Sequence, residues 1–165
     1  MKHLIWALGA VCLLMACHPP QPTTSNTPTA KTEELVFGTF YGRCRGSEEC
    51  IELFKLTDGQ LYEDRKDAYP NGDNPSFEFE PLDQTAYNKA KGLMAQFPNA
   101  LLEEKEATLG CPDCADQGGY FIGYKNEGQF TYWRVDKNLS NVPAYLHRFL
   151  KEVEETIQAF SSERH

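Results

Sequence analysis

Positive charge is scarce in this chain: 16 lysines and arginines stand against 24 aspartates and glutamates, a formal charge of −8 over 165 residues. A surface of that sign repels phosphate backbones and anionic headgroups, so nucleic acid is not an expected partner. Contact with a membrane then has to come from something other than a basic patch. Histidine is scarce too, with four, and no His-Glu-x-x-His pair, Gly-x-Ser-x-Gly elbow or phosphate-binding glycine loop occurs. His147 stands beside the apolar position Leu146 with no second histidine placed to join it. No catalytic residue, metal ligand or cofactor is expected from these patterns. Also missing is an apolar run of the roughly 20 residues a membrane-spanning helix needs. The run at the N-terminus extends only from Leu4 to Met15.

That run follows a short basic start, Lys2 and His3, and has the length of a signal-peptide core. It ends in Leu14-Met15-Ala16-Cys17, which resembles the lipobox of bacterial lipoproteins, with Met15 the less usual residue. The resemblance implies diacylglyceryl transfer to the Cys17 thiol and cleavage after Ala16. Several acyl chains, each methylene worth about 0.8 kcal/mol when buried, hold a domain on a membrane where one chain does not. Loss of Lys2 with residues 1–16 makes the mature chain one unit more negative. His18 follows the cysteine; the absence of aspartate there favours the outer membrane over inner-membrane retention.

Residues 17–33 hold the lipidated cysteine and a tether with Pro19, Pro20, Pro22 and Pro28 among threonines. The stretch has too little apolar surface to fold and reads as an extended spacer. Residues 34–165 form one domain. Strands are expected at Leu35–Tyr41 and Ile51–Leu56, with Asp58-Gly59 turning the chain back through Leu61 and Tyr62. A short edge strand is expected at Phe77–Glu80. Asp83 reads as the N-cap of a helix ending at Pro98. Strands at Tyr120–Tyr124 and Gln129–Val135 flank a turn at Asn126-Glu127-Gly128. A final helix follows Pro143, with Leu146, Phe149, Leu150, Val153, Ile157 and Phe160 on one face. The order β-β-(β)-α-β-β-α predicts an α+β fold: an antiparallel sheet of about four to five strands with two amphipathic helices on one face. The many tyrosines and phenylalanines read as core and cross-strand packing rather than a ligand platform.

Six cysteines are present. Cys12 leaves with the leader and Cys17 takes lipid, which leaves Cys44, Cys50, Cys111 and Cys114. In an exported chain, nearby thiols become bridges. Of three connectivities, Cys44–Cys50 with Cys111–Cys114 is favoured because each pair shares a glycine-containing loop. Two sharper readings compete with structural disulfides. Cys111-Pro112-Asp113-Cys114 resembles the Cys-x-x-Cys site of thioredoxin-like proteins, yet a strand follows instead of the helix that would lower the thiol pKa. The four thiolates could also hold a zinc ion if the loops met, the Cys111/Cys114 half having good metal spacing and the Cys44/Cys50 half a loose one. Separately, Asp64, Asp67 and the loop Asn71-Gly72-Asp73-Asn74 are rich in oxygen without the EF-hand pattern, and read as a solvated loop.

The stretches FYGRCRGSEECIELFKLTDG and GCPDCADQGG resemble small lipoproteins of the Bacteroidetes type. The resemblance implies an envelope setting and a compact domain with paired cysteines, and brings no activity with it. Together these readings predict a membrane-anchored, non-enzymatic module that meets an envelope protein or small ligand through one face of its sheet. A thiol–disulfide oxidoreductase using Cys111 and Cys114 is the alternative, and a cysteine-ligated zinc module the second.

Overall fold

The computed structural model describes residues 33–42, 50–69 and 75–162. Its frame is a seven-stranded sheet of β1 (Glu34–Phe40), β2 (Ile51–Thr57), β3 (Gln60–Asp64), β4 (Phe79–Pro81), β5 (Thr108–Leu109), β6 (Gly119–Asn126) and β7 (Gln129–Asp136). The order across the sheet is β4-β3-β2-β1-β6-β7-β5. Every pairing is antiparallel except that of β5 with β7.

The chain is thus α+β with a mostly antiparallel sheet, but the sheet is larger than the four to five strands expected. Two edge pieces make the difference. The expected strand at Phe77–Glu80 is a three-residue β4 displaced to Phe79–Pro81. Strand β5 is two residues long, too short for any alternation to register in the sequence, and exists because β7 offers it an edge.

β1 lies at the centre, paired along its length with β2 and β6. Both hairpins turn where the sequence places them. Gly59 between β2 and β3 has φ 89°, and Glu127 and Gly128 between β6 and β7 have φ 53° and 85°. Two successive positive φ values give the turn whose twist matches that of its strands.

The first expected helix is present but interrupted at Lys91, giving α1 (Gln84–Ala90) and α2 (Gly92–Gln96). Asp83 caps α1, its carboxylate accepting the Ala86 N–H at 2.9 Å. These helices carry the chain from the β4 edge to the β5 edge. After β7, α3 (Ala144–Ser161) buries the six apolar residues that the spacing predicts. Alternate strand residues Leu35, Phe37, Phe54, Leu56 and Ile122 share one core cluster with Ala90, Leu93 and the α3 face, so the helices lie on one side of the sheet. Among the described residues no helix is long and apolar enough to cross a membrane.

Candidate functional site

Among the described residues, no helix covers the face of the sheet opposite α1, α2 and α3. Pleating sends Val36, Lys55, Phe121, Gly123, Lys125, Phe130 and Tyr132 to this side. A smaller apolar cluster of Val36, Phe40, Ile51, Leu53 and Phe121 forms its base, with Tyr69, Phe77, Phe79 and Tyr132 packed around it. Rings dominate. Phe77 stacks on Phe79 at 5.1 Å and meets Phe121 and Phe130 edge-on at 5.8 and 6.2 Å. Tyr132 stacks on Phe121 at 5.3 Å.

Between these rings lies an open cleft of about 320 Å³, lined by Glu34, Val36, Lys55, Pro75, Phe77, Phe79, Lys125 and Phe130. Gly123 shapes one wall: a Cβ there would occupy the space taken by the Phe130 ring, 2.6 Å from its Cζ. Without a side chain at 123, Phe130 lies down on the sheet and leaves the cleft open. Phe130 keeps 36% of its surface exposed, high for so large a ring. The two cations differ. Lys125 pairs with Glu34 at 2.9 Å. The Lys55 ammonium lies over the rings of Tyr62 and Phe79, 4.4 and 4.6 Å from their centroids, and no carboxylate among the described residues pairs with it.

The cysteine loop sits at one end of the sheet. Cys111 and Cys114 are joined to each other, with Cα atoms 5.5 Å apart, as the shared-loop reading expects, and both residues are exposed. Cys50 is buried against Phe40 and Ile51 and is also disulfide-bonded. Cys44 and Cys17, the expected bridge partner and lipid acceptor, lie outside the described residues.

Carboxylates hold the Cys111 loop in place. Asp136 is fully buried. Its Oδ2 accepts the Cys111 N–H and the Asn141 amide, and its Oδ1 accepts the Asn138 N–H, all at 2.8 Å. Burial alone would raise its pKa. The hydrogen bonds from Asn141, Asn138, Cys111 and Gln117 outweigh that and hold it below the ordinary carboxylate value. Asp113, inside the Cys-x-x-Cys motif, adopts a left-handed φ of 62°. It accepts the N–H of Gly42 at 2.8 Å and of Gly118 at 3.1 Å, and the Tyr69 hydroxyl at 3.5 Å. A thiolate at Cys111 would form beside these carboxylates with no helix N-terminus to stabilise it, the reverse of a reactive redox cysteine.

The remaining sequence candidates have structural partners. The His147 ring meets the Val142 carbonyl at 3.2 Å. Asp64 Oδ1 accepts the N–H groups of Glu78 at 2.6 Å and Lys66 at 3.2 Å, which closes a turn. Asn71, Gly72, Asp73 and Asn74 lie outside the described residues, and within those residues no three metal-ligating side chains cluster.

The cleft is what sequence reasoning missed. Core and cross-strand packing accounts for Phe37, Phe54 and Trp133 and for the contacts of Phe77 and Phe79 with the smaller cluster, but says nothing of the cleft that Phe77, Phe79 and Phe130 line. The available signal was strand parity: Phe130 falls on the opposite side of β7 from Trp133 and Val135, yet is just as apolar. No protein-family model matches this chain, and no curated protein is similar to it.

Proposed function

We propose that this chain is a lipid-anchored bacterial envelope protein, carried on Cys17 and set off from the membrane by residues 18–33, that binds a ligand through the helix-free face of its sheet. The observation that supports binding is the difference between the two faces. One is sealed by α1, α2 and α3, whereas the other keeps a ring-lined cleft open between Lys55 and Lys125. A concave apolar surface with a few polar groups around it is the usual form of a ligand site. The cysteines fit a structural role in this reading, with Cys50 paired to Cys44 in a second local bridge. The outer membrane is the proposed location.

The anchor and the face are tested separately. Cells fed an alkyne-bearing palmitate should label the chain, and Cys17→Ala should abolish both the label and recovery in the membrane fraction. A photo-crosslinking residue at Phe130 should yield a discrete adduct in cells that the same residue at Tyr145, on α3, does not. Equal adducts at the two positions would remove the face from the proposal.

A further inference from the structure

We infer that the cleft is a site for a small apolar acid, its carboxylate on Lys55 and its ring or short hydrocarbon body between Phe77 and Phe130. The inference rests on the binding reading above and supplies the chemistry of the ligand.

Charge is the first ground. In a chain with eight more acidic than basic residues, the cleft holds two ammonium groups and one carboxylate, and that carboxylate, Glu34, is taken by Lys125. Among the described residues Lys55 is left without a carboxylate, half-buried and held by the faces of Tyr62 and Phe79. Ring faces attract an ammonium but accept no full hydrogen bond from it, so its N–H groups are available to an incoming anion. Apolar surface is the second ground. Val36, Phe77, Phe79 and Phe130 repel a fully hydrated ion such as free phosphate and favour one that carries an apolar body. Size is the third. A volume of about 320 Å³ lies at the small end of the range for ligand pockets, which suits one or two rings rather than a long acyl chain.

An extended peptide strand, which needs a free sheet edge, is the less favoured occupant. Such an edge exists along Gln129–Trp133 of β7, since β5 covers only Arg134 and Val135, but a strand added there pairs through its main chain and makes no use of the Lys55 ammonium.

Indole-3-acetate and its uncharged amide separate the contributions. Saturation-transfer NMR would be run on the full-length protein in nanodiscs, with empty nanodiscs subtracted. The acid should bind at least tenfold more tightly than the amide. Lys55→Met should remove that preference while leaving the melting temperature within two or three degrees, and Lys151→Met, on exposed α3 surface, should leave it intact. Phe130→Ala should weaken both compounds. Equal affinities in the unmutated protein, or a preference that survives Lys55→Met, would overturn the inference. If the two bind equally and Phe130→Ala weakens both, the face still binds ligand and only the acid is wrong. If neither binds, the acid is wrong and the crosslink at Phe130 alone decides the face.

Discussion

Asp136 shows how much of the loop's order hangs on one carboxylate. It accepts the Cys111 N–H, the Asn138 N–H and the Asn141 amide while fully buried. An amide in its place has one acceptor oxygen where the carboxylate has two, and leaves buried N–H groups unmatched. Asp136→Asn is expected to cost about 3 kcal/mol, read as a drop in the urea midpoint at pH 7. Because its folded pKa lies below the ordinary value of 3.8, the stabilisation is complete above that value. It drains away as pH falls through the lower, folded one. The urea midpoint of the unmutated protein should therefore fall as pH is lowered below 3.8, and the fall should be shallower in Asp136→Asn. Gly128 gives a conformational counterpart. A side chain there would touch nothing within 4 Å, yet φ is 85°. Gly128→Ala should destabilise by about 1 kcal/mol in thermal melts, through backbone strain alone.

At the level of elements, α3 contributes the largest single apolar face. Leu150 is fully buried in the middle of it, among strand residues of the same cluster. Leu150→Ala should cost about 3 kcal/mol in chemical denaturation, the transfer loss plus the cavity left behind. The same helix marks the limit of what the sequence discloses. Six apolar residues at helical spacing can bury themselves in only one way, so α3 was legible down to its individual core residues. Hairpins announced by Asp58-Gly59 and Glu127-Gly128 were legible for a similar reason, because turn chemistry is local. β5 was not. Thr108 and Leu109 become a strand only because Arg134 and Val135 lie alongside them, a fact about distant chain. The cleft was hidden for the same cause: Phe77, Lys55 and Phe130 stand more than twenty residues apart, and no local pattern brings them together.

For the molecule as a whole, the Cys111–Cys114 bridge is a minor source of stability. It closes so short a loop that chain entropy assigns it about 2 kcal/mol, and Asp113 and Asp136 pin the same loop by hydrogen bonds. The Cys111→Ser, Cys114→Ser double variant should therefore fold cooperatively, with a melting temperature lower by roughly 5 to 8 °C. Loss of the folded state in that variant would show that the bridge carries far more than its loop length allows.

The place where β1 begins has a mechanical consequence. Glu34 follows directly on the segment that, in the proposed anchoring, leads to the lipid, so a pull from the membrane enters the domain through its central strand. Antiparallel partners flank that strand on both sides, with β2 and β6 in register from Leu35 to Phe40. Tension along β1 has to slide it past two neighbours at once, breaking many hydrogen bonds together instead of peeling them one by one. An outer strand such as β4 would come away under far less force. Drawn from the N-terminal end of β1, the domain resists as a bolt in shear does.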